Sequence, residues 1–326
     1  MGYDSIFKEV LQQYNFYVAH IEPHSSFYLL DTDKGKKILR TWNDIDTLKS
    51  AFHYREGLAY SGFRQTDRFI RTTDGMGFVE LENQGFSVTD WIEGKYPSVS
   101  NDEDLRIIGK TIAYFHSALL NTKPNQSFES WSAHYHRGLN HFQSIYETLT
   151  EKRNKEKIDE IVLEHLPKWI NQIKASIQMA IKVEKITSQN EQGPIWCHGN
   201  LRLNSFKIDP YQEGWLLDIA IPILEFPSYD VAKLLSRLYL NNDFLPEKLN
   251  LILNHYQEMI SLRTEDKLRI LTYIAYPHDL WKFLYVSYIA KVPNLQVNLE
   301  QYFKEITVTQ ARNKELYQSL YHYFGL

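Results

Sequence analysis

From residue 4 to residue 15 the apolar positions recur with helical spacing, and the chain then changes to short runs rich in β-branched and aromatic residues. Phe16 to Ile21, Ser26 to Asp31 and Lys37 to Trp42 are such runs, with the turn-forming cluster Thr32-Asp33-Lys34-Gly35 between the last two. They predict a three-stranded antiparallel meander. Asn43-Asp44 then offers an N-cap, Ile45, Leu48 and Phe52 follow at helical spacing, and Gly62 supplies a stop. Three more strand-like runs, Arg68 to Thr72, Phe78 to Glu82 and Phe86 to Ile92, are separated by Asp74-Gly75 and Asn83-Gln84-Gly85.

Glu93-Gly94-Lys95-Tyr96-Pro97 breaks this pattern. Ser100 and Glu103 have the spacing of a capping box, and Leu105, Ile108, Ile112, Phe115 and Leu119 predict a strongly amphipathic helix. From there the chain reads as mostly helical, apart from a β-like window at Ile195 to Leu217. Ile170, Ile173, Ile177 and Ile181 mark another helix, preceded by a charged run at Glu151 to Glu160. The expected fold class is α+β with two lobes: a small β-rich lobe over 1–93 and a larger, mainly helical lobe over 94–326. A cleft between two lobes is the default ligand site.

Composition narrows the functional classes. A length of 326 residues allows one large domain or two lobes, and the 22 Tyr and 17 Phe argue against long disordered stretches. A net charge of -4 gives no electrostatic footprint for nucleic acid. Cys197 is the single cysteine, so no intramolecular disulfide forms and a reducing compartment fits. The first residues, Met1-Gly2-Tyr3-Asp4-Ser5-Ile6, do not resemble a signal peptide. The longest apolar runs, such as Ile219 to Leu224, are far too short for a membrane span, so a soluble protein is expected.

The chemistry concentrates in Trp196-Cys197-His198-Gly199-Asn200-Leu201-Arg202-Leu203-Asn204-Ser205-Phe206 and Trp215-Leu216-Leu217-Asp218-Ile219. These stretches resemble the phosphotransferase pair His-Gly-Asp-x-x-x-x-Asn and Ile-Asp-Phe-Asp. In that pair the loop Asp accepts the substrate's proton, and the Asn and the second motif's Asp hold magnesium on the nucleotide phosphates. Here Asn200 stands at the base position, and an amide does not take up a proton near neutral pH. Ser205 stands at the Asn position, with Asn204 one residue early, while Asp218 survives as a candidate metal ligand. On the third strand Arg40 replaces the phosphate-binding Lys, and Glu56 on the next helix is the candidate ion-pair partner. The loop between the first two strands, Glu22-Pro23-His24-Ser25-Ser26, has no glycine to let backbone approach phosphate.

With these residues in view, the chain resembles the CotS group of bacterial spore coat proteins, YutH type, within the aminoglycoside-phosphotransferase-like kinase fold. Supporting stretches are Arg68-Phe69-Ile70-Arg71-Thr72 with Asp74-Gly75, the hinge Thr89-Asp90-Trp91-Ile92-Glu93-Gly94, Asp230-Val231-Ala232-Lys233-Leu234-Leu235, and Tyr276-Pro277-His278-Asp279-Leu280-Trp281. The resemblance spans residues 10 to 300 or so and implies a place in the spore coat, with other coat proteins as partners.

Blander readings stand beside these. Arg40 is equally readable as a solvent-facing strand residue, Glu56 as an ordinary surface glutamate, and Asn200 as a loop residue bonding backbone. His116 reads as a satisfied buried histidine, Cys197 as a small core residue, and Asp230 as a helix anchor. His134 and His136, two apart on a helix, face apart and make a poor metal pair. Three functions remain open: a coat scaffold without phosphotransfer and without cofactor, a working kinase using ATP and magnesium with atypical residues, and a nucleotide-binding switch.

Overall fold

The computed structural model describes residues 3–120, 128–187, 193–219, 222–241, 246–290 and 299–326. In chain order the elements are α1 (Tyr3–Leu11), β1 (Val18–Pro23), β2 (Tyr28–Thr32), β3 (Gly35–Trp42), α2 (Ile45–Tyr60), β4 (Val79–Leu81), β5 (Gln84–Asp90) and α3 (Asp102–Leu119). There follow α4 (Trp131–Glu151), α5 (Lys157–Thr187), β6 (Ile195–Cys197), β7 (Phe206–Ile208), β8 (Gly214–Leu216) and β9 (Ile223–Glu225). The last are α6 (Pro227–Asn241), α7 (Leu249–Gln257), α8 (Thr264–Ala275), α9 (His278–Leu284) and α10 (Leu299–Phe324). A small antiparallel sheet precedes a mostly helical remainder, as the α+β reading expects.

Two compact units divide these elements. The first lies within residues 1–122, 195–224 and 251–260. Its sheet has the order β1-β2-β3-β5-β4, and the predicted meander is its first half. Leu30, Leu39, Phe86 and Val88 form a core with Phe7 and Val10 of α1. Because strand side chains alternate between faces, the residue after buried Leu39 is delivered to the other face of β3. That residue is Arg40. Asp44 caps α2 by accepting from the Asp46 and Thr47 amides, and Gly62, with φ +101, ends it as expected.

Two local readings are corrected. The cap of α3 is Asn101, whose side chain accepts the Glu103 amide at 3.0 Å, and not Ser100. The helix starts at Asp102, so Asn101 holds the one position from which a side chain reaches that amide. Arg68 to Thr72 is not a strand. Its ladder is limited to a bridge between Phe69 and Thr89 and the Ile70 amide on the Val88 carbonyl at 2.7 Å. The same edge of β5 is already occupied by β4 at Gln84 to Phe86, which leaves this segment too little edge to pair with.

α3 buries Leu105, Ile108, Ile112 and Phe115 and packs on β6, β7 and β8, the expected β-like window. His116 on this helix is fully buried, its Nδ1 3.0 Å from the Tyr256 hydroxyl, which is the satisfied histidine anticipated. The lobe boundary at residue 93 falls inside this first unit, because Lys95 and Ile208 exchange both backbone hydrogen bonds at 2.9 Å.

The second unit lies within residues 123–194, 225–250 and 261–326 and is helical. α4 packs on α5, and α8 packs on α5, α6 and α10. Phe142, Ile145, Val162, Leu166 and Ile173 are buried at helical spacing on α4 and α5. No described helix is long and apolar enough to cross a membrane.

Candidate functional site

Arg40 reaches two carboxylates. Its Nη1 lies 3.3 Å from Asp67 Oδ2 and its Nη2 lies 2.6 Å from Asp218 Oδ1. Asp67 is 3% exposed and is shared with a second guanidinium, that of Arg55, itself 2% exposed. Arg55 Nη2 contacts both Asp67 oxygens at 3.2 and 3.3 Å, its Nε donates to the Asp67 carbonyl at 2.9 Å, and its Nη1 donates to the Ile219 carbonyl. The Arg55 guanidinium also lies 4.9 Å from the centre of the Phe69 ring. Two cations and two anions thus form one closed set around β3, α2 and the Asp218-Ile219 segment.

The electrostatics follow from this arrangement. Burial works to raise the Asp67 carboxyl, but attraction first to Arg55 and then to Arg40 outweighs it and holds the group below its ordinary value. Asp67 is therefore a carboxylate in the folded chain, and neither arginine is a buried charge without a partner. Asp218 has φ +59, a left-handed backbone that costs a non-glycine residue about 1 kcal/mol or more. The ion pair to Arg40 on one side and the Arg55 bond to Ile219 on the other hold that conformation.

The loop before it is tied to the same place. His198 is buried; its Nδ1 accepts the Asn200 amide at 3.3 Å and its Nε2 faces the Leu217 carbonyl at 3.3 Å. A carbonyl only accepts, so the proton sits on Nε2 and the ring is neutral. Ser205 Oγ accepts the Arg202 amide at 3.1 Å, and the Ser205 carbonyl accepts the Leu217 amide at 2.7 Å. Ser205 therefore closes a turn within the loop. Asn200 and Asn204 are exposed.

Of the residues singled out in the sequence, Arg40 and Asp218 are brought into direct contact. Glu56 is not their partner: its two oxygens pair with Arg68 at 2.8 Å and Arg71 at 2.6 Å. The buried stripe of α2 runs through Leu48, Ala51, Arg55 and Leu58, and Glu56, one residue on, is turned about 100° away. A charged residue at a stripe position was the available signal for Arg55. Asp67 had none, since only tertiary structure brings it to β3.

A further residue was missed at the hinge. Lys207 of β7 is 3% exposed; its Nζ donates to the Ile92 carbonyl at 2.6 Å and lies 3.8 Å from the centre of the Trp91 ring. Desolvation lowers its pKa, opposed by Glu93. The glycine-free loop between β1 and β2 is closed on itself, the His24 amide donating to the Phe27 carbonyl at 2.9 Å. Phe27 stacks on His24 at 4.6 Å and lies 6.0 Å from the Arg40 guanidinium.

The family described as "Spore coat putative kinase YutH" matches residues 7–320 of this sequence. The chain belongs to that family. Its fold is similar to solved structures of kinases acting on small molecules. An aminoglycoside phosphotransferase from Alicyclobacillus acidocaldarius superposes with a TM-score of 0.82 at 14% identity, covering 97% of this chain and 95% of that one. A spectinomycin phosphotransferase crystallised with ADP and spectinomycin gives 0.61 at 14% identity, covering 96% and 98%. A choline kinase of Streptococcus pneumoniae gives 0.56 at 16%, covering 94% and 98%. At these identities the likeness establishes the protein-kinase-like fold and no activity.

Proposed function

We propose that the protein is a spore-coat component that keeps the kinase fold as an assembly scaffold and transfers no phosphate. The observation that carries this reading is Arg40 spanning Asp67 and Asp218, the latter at 2.6 Å. A magnesium ion on Asp218 would have to displace a guanidinium already paired with that carboxylate. The other expected positions give no help to a magnesium nucleotide. Ser205 is turned to the Arg202 amide, Asn200 supplies no base, and the β1–β2 loop spends its His24 amide on its own carbonyl. These residues do not fit a magnesium nucleotide. The family's place in the spore coat supports coat proteins as the partners and the coat as the location.

The test is thermal unfolding of the intact protein with ATP and magnesium, with ATP alone, and with AMP. Binding at a dissociation constant near 10 µM would add about 2.7 kcal/mol of stability at a hundredfold excess of ligand. No shift at millimolar ATP–magnesium is expected, and a clear shift absent with AMP overturns the scaffold reading. In a spore-forming host, an Asp218→Asn fusion that folds is expected to reach the coat like the parent. A fusion that mislocalises as in a deletion would show that the carboxylate has a ligand.

A second reading, a nucleotide-binding switch, is favoured by the Asp218 side chain being 59% exposed. Exposure leaves the carboxylate reachable from solvent, and Arg40 could then exchange it for a phosphate. The ATP arm without magnesium separates this reading from the first.

A further inference from the structure

The second unit holds a pocket of about 280 Å³, lined from the start of α4, the last turns of α5 and the middle of α8. Phe128, Trp131, Ala180, Val183 and Phe226 make its lining largely apolar. Four of these are buried and Phe128 is partly exposed, and the pocket opens to solvent on part of its surface. Phe128 and Phe226 pack edge-on at 5.3 Å, and the Arg269 guanidinium lies 3.5 Å from the centre of the Phe226 ring. Rings already held by their neighbours lose little freedom when a further ring is added.

The polar side chains described in the lining have their partners inside the protein. Ser130 Oγ caps α4 by accepting the Ala133 amide at 3.2 Å. The two Glu184 oxygens accept the Ser132 amide at 2.8 Å and the Ser132 hydroxyl at 2.7 Å. The Thr187 hydroxyl donates to the Val183 carbonyl at 2.8 Å and accepts from Arg269 Nη2. Arg269 Nη1 donates to Asp266 Oδ1 at 3.2 Å, and attraction to Asp266, Glu265 and Glu225 answers its charge. The Trp131 indole N–H is held by both Glu225 oxygens at 3.0 and 3.1 Å. A ligand entering the pocket meets hydrocarbon surface and polar groups that are already engaged.

We propose that this pocket binds a small uncharged aromatic molecule of about two fused rings. An apolar cavity of about 150 Å³ takes a single benzene ring, and this one is nearly twice that size. A charged ligand would give up its hydration for groups that are already paired. An aromatic ligand gains over an aliphatic one of the same shape because it can meet the rings of Phe128, Trp131 and Phe226 edge-on or offset. The described lining lies within the second unit and is independent of the Arg40 cluster and of the scaffold reading.

Saturation-transfer NMR on the intact protein tests this, with indole as the reporter and indane, octahydroindene, 2-aminoindane and indane-2-carboxylate as competitors. Indole is expected to bind and indane to displace it. The ammonium and carboxylate analogues should compete more weakly than indane by about tenfold or more, and octahydroindene, the saturated analogue, by about threefold or more. Ala180→Leu, which builds into the pocket, should weaken indole by about tenfold or more without lowering the melting temperature. Val183→Leu, a methylene larger than the parent side chain, should weaken it to a smaller degree. No transfer to indole at about 1 mM overturns the proposal on the parent protein alone, whatever the variants do. Competition by a charged analogue or by octahydroindene equal to that of indane, or unchanged indole binding in a folded Ala180→Leu protein, overturns it as well.

Discussion

Asp67→Asn is the sharpest probe of the cluster formed by Arg40, Arg55, Asp67 and Asp218. The substitution keeps the volume and one acceptor oxygen but removes the charge shared by two guanidiniums. Arg55 is 2% exposed and Arg40 19%, so neither recovers full hydration. Removing one member of a buried ion pair costs about 3–5 kcal/mol, chiefly because a buried charge is left uncompensated. Arg40 keeps Asp218 and Arg55 keeps the Asp67 and Ile219 carbonyls, which places the expectation near the lower end, about 3 kcal/mol. The loss is read by urea unfolding followed through Trp42, whose Nε1 donates to Ser87 Oγ at 2.9 Å on the neighbouring strand. The pH dependence supplies a second check. The folded Asp67 carboxyl lies below its unfolded value, so its contribution is complete above the unfolded carboxylate range of about 3.9. It is lost as pH falls from there through the lower folded value, so parent and variant should converge below about pH 4. A variant within about 0.5 kcal/mol of the parent at pH 7, or a gap that does not narrow in acid, would refute the argument that the carboxylate compensates both arginines.

Glu225 sits in the second unit with the Trp131 indole N–H on both its oxygens at 3.0 and 3.1 Å, and burial pushes its carboxyl up to about 7. The folded state then binds a proton that the unfolded state releases near 4.3, so parent stability should fall as pH rises from about 4.3 to 7. Glu225→Gln, which keeps an acceptor for Trp131, should flatten that slope in a pH series of melting temperatures. At Gly94, with φ +139, an added Cβ would stand 2.2 Å from the Ile208 carbonyl oxygen, so Gly94→Ala should cost about 2 kcal/mol or more in denaturant unfolding. Asn200→Asp is expected to show no ATP consumption in a coupled assay, since the Arg40–Asp218 pair and the closed β1–β2 loop remain and such parts act as a unit.

The two-period strands around Leu30 and Leu39 and the helical stripe of α3 were legible because one face of each is buried in a continuous core. Local cues worked where the chain's own amides decide the outcome, as at Asp44, and failed by one residue where two capping side chains were adjacent, as at Ser100 and Asn101. The site was half legible. Arg40 and Asp218 followed from motif spacing, but their mutual contact did not, because 178 residues separate them. Glu56 has the right charge to pair with Arg40, but it lies off the buried stripe of α2, on which Arg55 stands. Lys207 lay hidden in a short strand whose three residues are all buried, where a lysine is unusual enough to have marked it.

The segment named a hinge carries more fastening than its sequence implies. Lys207 grips the Ile92 carbonyl, Lys95 and Ile208 trade backbone bonds, and Gly94 lets the two strands of backbone lie against each other. Exchange of the Lys95 and Ile208 amides with solvent deuterium then requires breaking that pairing, and a slow, ligand-independent rate is the expected signature.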